Sequence, residues 1–202
     1  MSAFPSPLTA RAAPLVIDNV DTDTIIPSRE MRSTGRDGLA DGLFAPWRYA
    51  DADTRTENPG FALNQPQYRN ARVIVGGANF GCGSSREHAV WALAEYGVRA
   101  IIAESFAPIF HGNCLRNFIL PVTLPREVVE ALAGEEVTID LAAQTVTHDS
   151  MSQPFAINAE AKQMLDQGLD PIDLTLTQGT AIEDWTRADR TARPWIYPEH
   201  TA

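Results

Sequence analysis

Residues 72–103 read RVIVGGANFGCGSSREHAVWALAEYGVRAIIA. Arg72 leads the β-branched run Val73-Ile74-Val75, which Gly76-Gly77 closes, the mark of a short buried strand. Between 84 and 96 the period becomes helical: Ala89, Val90, Leu93 and Ala94 form one apolar stripe, and Gly97 stops it. Residues 98–103 make a second strand. Strand, helix and strand on short loops predict a right-handed βαβ crossover and therefore a parallel sheet.

Working outward, the pattern continues as a short helix over 108–113, a strand over 118–124 and a helix over 125–133 ended by Gly134. Residues 136–141 and 145–148 alternate as a hairpin. A helix over 159–167 stops at Gly168, and 172–177 reads as a further strand. The class is mixed α/β. Upstream, residues 28–70 follow no period and hold Phe44, Trp47, Tyr49, Phe61 and Tyr68. Aromatic area of that amount anchors a chain, so this is a long ordered excursion with a short helix at about 38–44. Residues from about 179 to 202 form an extended tail suited to docking. All 202 residues are expected to belong to one domain.

The bulk numbers narrow the partners. A net charge of −10 makes the chain a poor ligand for nucleic acid or anionic membrane surfaces. No apolar run approaches the ~18 residues of a membrane span, and the first residues lack the pattern of a signal peptide. Cys82 and Cys114 are the two cysteines, with neither in a CxxC arrangement, which fits a reducing cytoplasm and excludes a disulfide framework or structural zinc site.

The turn between the first strand and the helix carries the chemistry. Gly76-x4-Gly81 has the glycine spacing of a phosphate loop, but Cys82 stands where that loop needs lysine, and GxGxxG is absent too. What remains is a glycine-permitted turn running into a helix start, where free N–H groups and the helix dipole favour an anion. Ser84-x-x-Glu87 also has the form of a capping box, which needs no ligand at all. A cap does not call for Ser85, Arg86 and glycines at 81 and 83 together, and a guanidinium in a first helical turn is disfavoured unless an anion faces it. Both readings stand at this level. His88 and His111 lack a second ligand at helical spacing, and Cys82 lacks a base, so neither metal binding nor thiol catalysis is expected. Asp21-Thr22-Asp23-Thr24 reads as a turn with Asx-type hydrogen bonds.

Three segments together carry a resemblance. NVDTDTIIP at 19–27, NFGCGSSREHAVWAL at 79–93 and SFAPIFHGNCLRN at 105–117 resemble the small subunits of bacterial 3-isopropylmalate dehydratase, the swivelling-domain branch of the aconitase superfamily. The resemblance covers roughly 15–177. It implies a swivelling β/β/α domain around the βαβ parallel core, and the interconversion of 2- and 3-isopropylmalate through 2-isopropylmaleate in leucine biosynthesis. It further implies a large-subunit partner carrying a [4Fe–4S] cluster, with no metal on this chain; two separated cysteines agree with that. By the same resemblance Ser84 is the catalytic base, Ser85 and Arg86 bind substrate carboxylate, and Asp23 orients a substrate-facing arginine about a dozen residues on, Arg36 or else Arg32. A homoaconitase or methyl-substituted malate hydro-lyase subunit is the near alternative. A stand-alone carboxylate-binding module, with Ser84 as a cap alone, is the distant one.

Overall fold

The βαβ unit supplies two neighbouring strands near one edge of a seven-stranded mixed sheet. The computed structural model describes residues 3–31, 35–51 and 53–197. The strands of this sheet are β1 (Leu8–Leu15), β4 (Val73–Gly76), β5 (Ala100–Ala103), β6 (Leu120–Thr123), β7 (Glu136–Asp140), β8 (Thr145–His148) and β9 (Met151–Pro154). A two-stranded ribbon, β2 (Tyr49–Asp51) with β3 (Thr56–Glu57), stands apart from it. The helices are α1 (Thr22–Ile25), α2 (Ala45–Arg48), α3 (Glu87–Tyr96), α4 (Pro108–Arg116), α5 (Arg126–Leu132), α6 (Ala159–Gln167), α7 (Pro171–Leu176) and α8 (Gly179–Ala192).

The strand β1 joins two kinds of sheet. Its second half pairs in parallel with β4, Ala12 beside Val73 and Leu15 beside Gly76. Its first half pairs antiparallel with β7, Leu8 opposite Ile139. The β4–β5–β6 side is parallel and the β7–β8–β9 side antiparallel. Side chains alternate across the parallel strands as a two-residue period requires. Ile74 and Ile101 belong to one core with Leu93, Phe80 and Phe110. Val73, Val75, Ile102 and Val122 belong to the other, with Val129 and Leu165. Buried on both faces, these strands read as continuous apolar runs.

The described residues of the excursion pack through their aromatics. Phe44 is fully buried, Phe61 and Tyr68 nearly so, and Phe44 stacks on Trp47 with ring centroids 6.0 Å apart. The short helix expected at 38–44 is a 3-10 turn at Ala40–Gly42, followed by α2.

Two expectations change. The strand expected at 172–177 is the helix α7. Asp170 caps it, accepting from the N–H groups of Ile172 and Asp173 at 2.8 Å, while Asp173 bonds back to the Asp170 N–H. With Pro171 at the first position, this reciprocal cap outweighs the β-like alternation of Ile172, Leu174 and Leu176. Gly179–Ala192 form α8, within the stretch where an extended tail is expected. The chain divides into two compact units, one ending at Gly168 and one beginning at Leu169, so the boundary falls ahead of α7.

Candidate active site

The turn after β4 is built around residues that tolerate a left-handed backbone. Gly81 has φ +76°, and a Cβ there would lie 2.1 Å from the Phe110 ring. Gly83 has φ +88°. Only glycine meets both conditions at 81 without strain. Three distant segments are stitched together by main-chain bonds here. The Gly81 N–H donates to the Val20 carbonyl at 2.7 Å, and the Thr22 N–H donates to the Cys82 carbonyl at 2.9 Å. The Phe80 N–H donates to Ser105 O at 2.9 Å, and the Ala107 N–H donates to Phe80 O at 3.0 Å. Segments 19–27, 79–93 and 105–117 therefore meet in one place.

A cavity of about 190 Å³ opens at that junction, lined by Thr22, Ser84, Ser85, Arg86, Ile109 and Asn113 among others. Thr22 holds the turn from below, its hydroxyl donating to the Ser84 carbonyl at 2.8 Å. Ser84 and Ser85 are exposed to the cavity, and their hydroxyls make no hydrogen bond among the described residues. The N–H groups of Ser84, Ser85, Glu87 and His88 likewise meet no acceptor among the described residues. The start of α3 thus presents unclaimed donors, and the helix dipole adds partial positive charge to them.

The capping box is not formed, which corrects the second reading of Ser84-x-x-Glu87. The helix begins at Glu87, its N-cap position is Arg86, and no side chain caps it. The Glu87 carboxylate is bonded elsewhere: it accepts from Asn117 Nδ2 at 2.8 Å, across the gap to the end of α4. Ser84 is therefore free for another partner, and the premise of the cap-only alternative is gone.

Arg86 lines the same cavity, and its guanidinium donates to the Asp23 carboxylate. The Arg86 side chain is about a quarter exposed, that of Asp23 more than half. Asp23 sits in the first turn of α1, which Asp21 caps by accepting from the Thr24 N–H at 2.6 Å, the Asx-type bond expected of this stretch. The resemblance has Asp23 orienting Arg36 or Arg32; among the described residues its ion-pair partner is Arg86. Arg36 stands with its guanidinium carbon 5.0 Å from the centre of the Trp91 ring, and it does not line the Ser84 cavity. Arg32 lies outside the described residues. Two residues that sequence reasoning passed over also belong to the site, Thr22 and the buried Asn113. Both fall inside motifs, but their local sequence gives no sign of a role.

A larger cavity of about 370 Å³ lies along α3, lined by Arg36, Trp91, Glu95 and Arg99. It brings no serine hydroxyl beside open main-chain donors, whereas the smaller cavity does. Among the described residues, no three His, Cys, Asp or Glu side chains converge as a metal site. Burial pushes the Cys114 thiol far above its ordinary pKa, so it is unsuited to thiolate ligation. Burial also lowers the His111 pKa, leaving that ring neutral near pH 7. No helix among the described residues is long and apolar enough to cross a membrane.

The mixed α/β fold defines a class, and comparison with known proteins bears out that fold. The family model for the aconitase C-terminal domain matches residues 7–127. The small subunit of 3-isopropylmalate dehydratase from Cupriavidus necator is 51% identical over 195 residues, covering 92% of this chain and 94% of that one. That from Rhodospirillum centenum is 48% identical over 196 residues, covering 93% and 96%. The crystal structure of 3-isopropylmalate dehydratase from Methanocaldococcus jannaschii superposes with a TM-score of 0.63 at 30% identity, covering 88% of this chain and 98% of that one. The chain belongs to the 3-isopropylmalate dehydratase small-subunit family.

Proposed function

We propose that this chain is the small-subunit half of a 3-isopropylmalate dehydratase active site, acting in the cytoplasm on a hydroxy-dicarboxylate held between it and a large subunit. The observation that carries the reading is the Ser84 hydroxyl. It lines a cavity beside four unclaimed main-chain N–H groups and a guanidinium that Asp23 holds in place.

The reaction needs a proton removed from carbon α to a carboxylate, which is weakly acidic, so the base must be strong and the developing charge must be met. Ser84 as alkoxide takes that proton and becomes a hydroxyl. The amides at the start of α3, its dipole and Arg86 stabilise the alkoxide before the step and the enolate-like carboxylate during it. Ser85 and Arg86 hold the carboxylate next to the reacting carbon, and Thr22 fixes the turn through the Ser84 carbonyl. Loss of hydroxide from the neighbouring carbon needs Lewis acidity, which a [4Fe–4S] cluster on the large subunit would supply. Hydroxide then returns to the other carbon of the 2-isopropylmaleate double bond, and the Ser84 hydroxyl gives its proton to the carbon that had lost hydroxide, which restores the alkoxide. Atoms and charge balance: the proton held on Ser84 and the hydroxide together make up the one water lost and regained.

The test is co-purification with the large subunit, followed by an anaerobic assay on 2-isopropylmalate and on citrate. The pair is expected to turn over isopropylmalate, and this chain alone neither substrate. Equal turnover of citrate by the pair would defeat the substrate assignment.

A further inference from the structure

The cavity at Ser84 has a second wall, built by the start of α4. Pro108 opens that helix with no N–H to offer, and no side chain caps it. The N–H groups of Ile109 and Phe110 meet no acceptor among the described residues, and both residues line the cavity. One turn further on, Asn113 lies on the same face of α4 as Ile109 and lines the same cavity. Asn113 is an interior residue, only 4% exposed. The orientation of its amide is fixed by Arg116, which does not line the cavity: a guanidinium can only donate, and it is bonded to Asn113 Oδ1. The other end of the amide is therefore NH2, and it finds no acceptor among the described residues. Nor is this nitrogen sealed off from open space, as Trp91 Nε1 and Asn64 Oδ1 are. A buried amide left with open donors is costly, so this one calls for a partner that the chain itself does not supply.

We propose that Asn113 is a substrate-binding residue: its NH2 group, with the main-chain N–H groups that open α4, receives the carboxylate that Ser85 and Arg86 do not hold. This rests on the reaction proposed above. Donors gathered at one helix start suit an oxyanion, and the dipole of α4 adds positive charge to them. The bond from Arg116 to Oδ1 leaves the donor end of the amide for the ligand.

The test uses the reconstituted two-subunit enzyme with Asn113→Ala, Asn113→Asp and Ser84→Ala in the small subunit. Two quantities are read: KM and kcat for 2-isopropylmalate, and the Kd of isopropylsuccinate, which has both carboxylates but no hydroxyl to lose. Asn113→Ala should raise KM and Kd about 10–100-fold, the range of one hydrogen bond to a charged group, while kcat changes less. Asn113→Asp keeps the shape and the acceptor for Arg116 but puts an oxygen where the donor was. It should weaken isopropylsuccinate at least as much as the alanine does. A residue that only anchors Arg116 predicts the reverse, with Asn113→Asp binding like the parent, and that result would overturn the proposal. An unchanged Kd in Asn113→Ala would overturn it too, even with KM raised, since the substrate hydroxyl would then be the partner. Should Asn113→Ala fail to fold, Asn113→Asp is read by the same criteria. Ser84→Ala separates the two levels: retained turnover means that the underlying reaction is wrong, whereas lost turnover beside an unchanged Kd in the Asn113 variants means that only the role of Asn113 is.

Discussion

Two turns rest on helix α3, and they treat their main-chain donors in opposite ways. At 38–40 all three N–H groups are taken by one carboxylate, Glu95. At 84–88 four N–H groups and two serine hydroxyls find no partner among the described residues. A fold satisfies its polar groups wherever it needs only stability, so the satisfied turn is scaffold. The open donors at 84–88 are those that the proposed reaction uses. The proposed site rests on this contrast and not on cavity size, since cavities of about 370 and 530 Å³ lie elsewhere.

The largest expected effect breaks the unsatisfied turn chemically. Ser84→Ala in the reconstituted enzyme should lower kcat by about 10²–10⁴-fold, the usual contribution of a positioned acid or base, with KM nearly unchanged. Steady-state kinetics on both isopropylmalate isomers measure it. A kcat within threefold of the parent would return Ser84 to the scaffold.

Glycine substitution sharpens the same comparison through stability. At Gly81 an added Cβ meets the Phe110 ring at 2.1 Å in a backbone with φ +76°. Overpacking and left-handed strain together should cost about 3 kcal/mol. At Gly38 the φ is +80° but no atom lies within 4 Å of the Cβ position. Gly38→Ala should therefore cost about 1 kcal/mol, the conformational penalty alone. Urea denaturation of the two variants gives the difference directly. Arg86→Lys comes next: it keeps the charge but loses the planar fork between Asp23 and an incoming carboxylate. The expected drop in kcat/KM is about 10–100-fold, equivalent to one charged hydrogen bond.

Which parts of this were legible in the sequence follows from where each partner lies along the chain. The strands β4 and β5 are short β-branched or aliphatic runs beside glycine, and the periodic stripe of α3 stands between them. Local pattern suffices there. The strand β1 is written LTARAAPL, with three alanines and Pro14, and carries little strand character of its own. Its identity comes from neighbours far away, β4 on one side and β7 on the other. At the start of α3 spacing leaves two readings open for the same reason: the Glu87 carboxylate that a capping box would use is claimed by Asn117, 30 positions on. Arg86 likewise finds Asp23 at a separation of 63. Sequence spacing raised the possibility of a site at the serine turn, and the family motifs gave Ser84 its role. The ion pair that positions Arg86, and the clamp by Glu95, exist only once the fold has brought those segments together.

The smallest effect concerns the support beneath the serine turn. Phe110 of α4 packs over Gly81, and its neighbour His111 lies edge-on to Phe106 at 5.9 Å between ring centroids. Burial lowers the His111 pKa below its ordinary 6.5 in the folded chain. Above about pH 6.5 the ring is neutral in both folded and unfolded states and pH changes nothing. As pH falls below that value the unfolded chain takes up the proton first, so stability declines until the folded ring titrates as well. His111→Phe keeps a ring against Phe106 and removes the proton uptake. Between pH 7 and 5.5 its denaturation midpoint should fall less steeply than that of the parent, measured in the same buffers. Parallel slopes would mean that His111 is hydrated enough to titrate alike in both states, and that acid reaches the serine turn by another route.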